Sequence, residues 1–220
     1  MKKLLLSLFF VVILTTGYGQ SVDYKKNEIS VGIIHVAHAP KSQEILFVHL
    51  YYVVPINNIT YKRWINKNNA IRLTYYRPIT RSNEKPPDNW NDNSDYKEQV
   101  FRIGYEYIFD QKKFTPYLAL DMTYLTSTSS RVVGGGFTGE MNQFDNNKNG
   151  VGVTPTIGIN YHLFKNIYIG AESNLSIMNM KNEKISTKLF PVTNELPAME
   201  NTSSIESIFN PIQVIVKIKF

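Results

Sequence analysis

The chain ends on 211-PIQVIVKIKF-220, and the alternation in these ten residues decides how the rest is read. Successive strand side chains point to opposite faces, so Ile212, Val214, Val216, Ile218 and Phe220 share one face. Gln213, Ile215, Lys217 and Lys219 share the other. One row is apolar to its last residue and the other is mostly polar. The edge of a soluble sheet could carry such a strand, but an apolar row closing on an aromatic also fits the last strand of a barrel that faces lipid.

Composition narrows the choice. In 220 residues, 43% are hydrophobic, 13% aromatic and only 19% charged, which suits one domain and excludes disorder over most of the length. The formal net charge of +6 falls to +4 if a leader carrying Lys2 and Lys3 is removed, too mild and too scattered for a nucleic-acid partner. Residues 1–19 have the parts of a signal peptide: Lys2 and Lys3, the apolar run Leu4 to Leu14, then Gly17 and Gly19 around Tyr18. Cleavage after Gly19 is expected, leaving 20–220 as one β-barrel domain. The apolar run is short of the ~20 residues a spanning helix needs, so any membrane crossing has to be made by strands. With no cysteine, the chain has neither disulfides nor a site for a lipid anchor after the leader.

Eight segments of period two, bounded by turn chemistry, follow one another. The first runs from about Glu28 to Val36, with Ile29, Val31 and Ile33 opposite Ser30, Gly32 and Ile34. The second, about Phe47 to Ile65, is irregular, with Pro55, Asn57 and Asn58 marking a bulge or turn. The third alternates Ile71, Leu73 and Tyr75 with Arg72, Thr74 and Tyr76. The fourth sets Phe101, Ile103, Tyr105, Tyr107 and Phe109 against Arg102, Gly104 and Glu106. In the fifth, Phe114 to about Thr126, Leu118, Leu120, Met122 and Tyr124 oppose Tyr117, Ala119, Asp121 and Thr123. The sixth, Val151 to Leu163, has an apolar row opposite one of only small or polar groups, including Gly158, Asn160 and His162. The seventh, about Ile167 to Met178, carries Glu172 and Asn174 on its polar face.

The connections alternate in length. Those after segments two, four and six are short, with Asn66 to Asn69 well suited to a tight turn because asparagine tolerates the left-handed region. Those after three, five and seven read as long loops: Arg81 to Asp95, Ser127 to Asn149 and Lys181 to Ser204. Short turns at one end, long loops at the other and an even strand number are the pattern of outer-membrane barrels. Aromatics agree, with Tyr61, Trp64, Tyr107, Phe109, Phe114, Tyr161, Phe164 and Phe220 near the short-turn ends and Tyr51, Tyr75, Tyr96 and Tyr124 near the long-loop ends. Eight strands leave an interior that side chains just fill. The predicted inward polar set is Arg72, Arg102, Glu106, Asp121, Asn160, Glu172, Asn174 and Lys217, expected to pair with one another and plug the lumen.

The leader, the eight segments, the loop asymmetry and the terminal Phe220 together resemble the eight-stranded outer-membrane β-barrel family of Gram-negative bacteria, of the OmpA-like transmembrane-domain type. The resemblance implies an all-β, eight-stranded antiparallel up-and-down transmembrane barrel located in the cell outer membrane. It also implies that Phe220, with Ile218 and Val216, is the signal read by the barrel-assembly machinery. A periplasmic domain of the kind many members append is not expected after Phe220.

Other candidate chemistry is weaker. His38, Ser42 and Glu44 are the one local set for a lipid-hydrolysing barrel of the lipid A deacylase type, and they lack a recognisable motif. No histidine spacing suggests a metal. Asp145, Asn147, Asn149 and Gly150 spell half of a calcium loop, but Thr156 stands where the bidentate glutamate belongs, which leaves a solvated turn. Gly134 to Gly136 read as flexible loop, Trp90 as a loop-tip surface residue that could contact a partner, and Lys67, Lys112, Lys113 and Lys165 as a soluble turn surface that could also meet phosphate groups. The expectation is therefore a porin-like barrel with no enzymatic activity and no cofactor. Its partners would be outer-membrane lipid, the assembly machinery and an extracellular ligand bound through the loops, with the chain itself a monomer. A lipid-modifying enzyme and a periplasmic lipocalin-like ligand binder are the alternatives.

Overall fold

A computed structural model describes residues 26–38, 51–77, 94–109, 113–135, 140–190 and 197–220. The expected leader lies outside them. Eight strands account for nearly all of these residues: β1 (Asn27–His38), β2 (Tyr51–Trp64), β3 (Asn69–Tyr76), β4 (Ser94–Ile108), β5 (Phe114–Gly135), β6 (Glu140–Phe164), β7 (Ile167–Phe190) and β8 (Ala198–Lys219). Each pairs antiparallel with the next, and β1 pairs with β8, so the sheet closes as an up-and-down barrel. Closure gives the backbone donors and acceptors of the ring partners on both sides.

The turn between β2 and β3 shows why asparagines cluster there. Asn66 Oδ1 accepts from the backbone N–H groups of Asn68 and Asn69, both at 2.9 Å, and so closes the turn with a side chain. Asn68 Nδ2 donates to the carbonyl of Ile108 at 2.8 Å and ties the turn to β4.

Side chains follow the period-two reading in the middle of the barrel. Phe101, Ile103, Tyr105, Leu118, Leu120, Met122, Val151, Val153 and Ile157 are exposed on the outer surface, while Arg102, Glu106, Asp121, Thr123, Thr154 and Thr156 are buried within. Bulges shift this parity, two of them within the wall away from the strand ends. In β8, Gln213 pairs with Glu172 and Asn210 with Asn174, so Pro211 and Ile212 face the single residue Ser173. Proline has no N–H for the ladder, and a bulge is where a sheet tolerates it. Between β1 and β2, Gly32 pairs with Asn58 and Ile34 with Pro55. Asn58 Oδ1 accepts from the Gly32 N–H at 2.7 Å, supplying an acceptor where the ladder is interrupted. The irregularity expected at Pro55, Asn57 and Asn58 is this feature. It also corrects one face: Ile34, expected beside Ser30 and Gly32, turns to the outer surface beyond the bulge.

The long loops are the larger correction. Ser127 to Asn149 and Lys181 to Ser204 are mostly strand: β5 and β6 stay in register from Phe114↔Tyr161 to Gly135↔Glu140, and β7 and β8 pair as far as Ser186↔Ala198. Strands β5 to β8 are 22 to 25 residues long, roughly twice the spans read from the sequence. Their outer halves are rich in Ser, Thr, Asn, Lys and Glu on both faces, so no apolar row announces them. Gly134 and Gly135 belong to β5, leaving only Gly136 of the triplet outside the described residues. Asp145, Asn147 and Asn149 lie in β6 opposite Ser130, Thr128 and Thr126, extended in a ladder that cannot wrap an ion. Strand replaces the expected turn there. Most of Arg81 to Asp95, including Trp90, falls outside the described residues, as does Lys112.

Candidate functional site: the barrel interior

Along β3 the inward residues run Ala70, Arg72, Thr74, Tyr76 from the short-turn end, and along β4 they run Ile108, Glu106, Arg102, Val100 in the same direction. The other strands continue the same layering. Near the short turns Trp64, Ala70, Ile108 and Tyr117 form one apolar cluster. Toward the long hairpins Tyr76, Val100, Leu125, Met178 and Met180 form another, with Ile208 packed against it. Charged groups occupy the layer between.

The structure places all eight predicted inward residues, Arg72, Arg102, Glu106, Asp121, Asn160, Glu172, Asn174 and Lys217, on the buried side. It adds Glu28 and Lys62, which are not in the predicted set. Glu28 shares the face of Ser30, a signal the sequence does carry. Lys62 lies in the irregular second segment, whose faces the pattern does not assign. Buried charges then balance among the described residues: Lys62, Arg72, Arg102 and Lys217 against Glu28, Glu106, Asp121 and Glu172.

Most of these groups are brought together. Lys62 Nζ lies 2.6 Å from Glu106 and 3.2 Å from Glu28. Arg72 spans three carboxylates, with Nε 3.2 Å from Asp121 and Nη1 3.3 Å from Glu106 and 3.8 Å from Glu172. Tyr117 donates its hydroxyl to Glu172 at 2.7 Å. Arg102 stands apart from this knot and donates to Asn174 Oδ1 at 3.4 Å, which also accepts from Asn210 Nδ2 at 2.9 Å. Lys217 has its ammonium 4.3 Å from the centroid of the Tyr117 ring, and Asn160 lies near the short-turn mouth. Hydroxyl chains fill the wall between the charges, from Thr123 to Thr154 at 2.6 Å and on to Ser176 at 2.8 Å. An ion taken from water is tolerable when partners of this kind surround it, and removing one partner strands the other.

One predicted girdle residue moves inside. Trp64, expected with the outer aromatics, is 2% exposed and packs in the interior cluster, with the Lys219 ammonium 4.2 Å from its ring centroid. Its parity follows Lys62, which the irregular second segment conceals. Tyr61, Tyr107, Phe109, Phe114, Phe164, Phe220 and Tyr124 are exposed on the outer surface, and Tyr75 and Tyr161 are half-buried. The side chains of Tyr51 and Tyr96, and the set His38, Ser42 and Glu44, lie outside the described side chains. Of the terminal row, Ile218 and Phe220 are exposed on the outer surface and Val216 is half-buried. Among the described residues no cluster of His, Asp and Glu could hold a metal.

No protein-family model and no curated sequence matches the chain. Among solved structures it is similar to a major outer membrane protein from Thermus thermophilus, at 7% identity and a TM-score of 0.50, over 88% of this chain and 99% of that one. It is similar to Ail, the attachment invasion locus protein of Yersinia pestis, at 10% identity and a TM-score of 0.47, over 89% and 99% of the two chains. Neisserial surface protein A aligns at 16% identity and a TM-score of 0.46, over 88% and 97%. At such identities the likeness is one of fold.

Proposed function

We propose that the chain is an integral outer-membrane barrel with a plugged lumen and a structural or surface-binding role rather than a catalytic one. The observation that carries this reading is the inversion of polarity: the outer surface of the barrel wall is apolar, while the interior encloses a balanced set of charges. Such a surface is stable against acyl chains and costly in water. The same inversion is the reverse of what a lipocalin-like binder requires, an apolar interior under a polar exterior. The apolar cluster toward the long hairpins caps the charged layer on that side, which supports a plug rather than a pore.

A spanning strand needs about 9–11 residues, so the outer halves of β5 to β8 stand clear of the bilayer. In this reading they form a polar platform on the cell surface, and the short turns and Phe220 face the periplasm. Detergent extraction with heat-modifiable gel mobility tests the assignment, and fractionation with soluble periplasmic proteins would overturn it. Protease applied to whole cells should cut on the outward side of the bilayer and spare the embedded wall. Liposomes carrying the protein should admit no small solutes.

A further inference from the structure

We infer that the short-turn end of the interior is a binding site for one small protonated oxyanion of the hydrogen-phosphate class. A cavity of about 150 Å³ opens there, lined by Glu28 of β1, Asn160 and His162 of β6, Tyr168 of β7, and Lys217 and Lys219 of β8. The space holds several waters, which is room enough for a tetrahedral oxyanion.

Lys217 is the group that points to a ligand. It is 1% exposed, yet among the described residues its ammonium has no hydrogen-bond acceptor. Lys62 and Arg72, buried to the same degree, each hold two or more carboxylates within 4.0 Å, while Lys217 has the Tyr117 ring on one side. A ring face answers part of the charge but takes none of the three N–H donors. Burying those donors unanswered is costly. His162, whose ring stacks on Tyr168 with centroids 4.6 Å apart, also has a buried Nε2 without a partner. Lys219 supplies a second cation, 4.0 Å from Glu28.

The acceptors in the same cavity select the kind of anion. Asn160 Oδ1 is buried with no donor, and Glu28 presents a carboxylate. A fully deprotonated oxyanion such as sulfate offers them nothing and meets a repulsive oxygen. Hydrogen phosphate offers its charged oxygens to Lys217 and Lys219 and its P–OH to Asn160 or Glu28. His162 and Tyr168 are half-buried, so the cavity is reached from the short-turn rim, where the exposed Lys113 and Lys165 favour the approach of anions. Free phosphate and a phosphomonoester headgroup share this chemistry.

The test uses the full chain folded in a maltoside detergent, which brings no phosphate. Inorganic phosphate should raise the heat-modifiability transition and broaden the phosphorus resonance of the added anion, while sulfate and chloride at equal ionic strength should do neither. Lys217→Met should weaken the apparent affinity about tenfold or more, as the loss of a charge-assisted hydrogen bond implies. Lys181→Gln, exposed on the far half of β7, should leave it unchanged. If Lys217→Met does not fold, His162→Phe keeps the stack on Tyr168, removes Nε2 and should weaken binding in the same direction. Micelles doped with phosphatidic acid, whose headgroup is a phosphomonoester, separate the sources: a shift that Lys217→Met abolishes assigns the site to a headgroup. Equal responses to sulfate and phosphate, or a response that survives both substitutions, would overturn the inference.

Discussion

Tyr117 reaches across the barrel wall to Glu172 and donates its hydroxyl at 2.7 Å, although the two residues sit on strands that are not neighbours. Gly158 of β6 lies between them, paired with Tyr117 on one side and with Glu172 on the other. A Cβ at Gly158 would clash with the hydroxyl end of the Tyr117 ring, so the missing side chain is what lets the phenol lie over β6. The bond joins β5 to β7 and, through Glu172, to Arg72 on β3.

Removing the hydroxyl should therefore cost stability without opening a space. Tyr117→Phe is expected to destabilise by about 1.5–3 kcal/mol, as for a hydrogen bond to a charged acceptor. Gly158→Val should cost about 1–3 kcal/mol by displacing the ring. Because both changes break the same bond, their combination should cost less than the two separately, measured by urea unfolding in micelles. Simple additivity would show that Gly158 does not set the position of Tyr117.

Glu106 is shared by Lys62 and Arg72, so its removal leaves buried cations short of a partner. Glu106→Leu is expected to cost about 3–5 kcal/mol. Lys62→Met in the same chain should restore part of that loss, because the pair is then replaced by apolar groups of similar volume. A double substitution as unstable as the summed singles would rule out coupling.

Leu120 and Ile205 are both exposed, at 59% and 82%, but the proposed bilayer distinguishes them. Leu120 lies in the apolar band and Ile205 on the outer half of β8. Leu120→Arg should cost about 2–4 kcal/mol when the protein is folded into phospholipid, and Ile205→Arg about 0–1 kcal/mol. Equal small effects at the two positions would argue against a lipid-facing wall.

Phe220 is exposed on the outer surface at the end of β8, where its side chain adds little to the interior. If it serves as an assembly signal, Phe220→Ala should lower the yield of heat-modifiable protein in cells. The stability of the barrel refolded in vitro should change by no more than about 0.5 kcal/mol, as for an ordinary surface position. A parallel loss in both measurements would make the residue structural instead.

Where one face is apolar and the other polar, the sequence is legible. Phe101, Ile103 and Tyr105 against Arg102 and Glu106 identify both the strand and its interior side with no partner known. The reading fails where that contrast vanishes. The outer hairpins carry polar residues on both faces, so their β-structure rests on pairing between distant segments rather than on a local pattern. Trp64 and Lys62 escape the pattern because Pro55 and the bulge at Asn58 break the count that assigns faces.

Strand side chains alternate by local backbone geometry, and so the chain alone determined the number of strands, the closed fold they suit and the row of charges inside. Which charge meets which was decided only in three dimensions. Partners such as Tyr117 and Glu172, or Lys62 and Glu106, are brought level by the stagger of strands around a closed ring. That stagger is a property of the whole barrel, and no stretch of sequence encodes it alone.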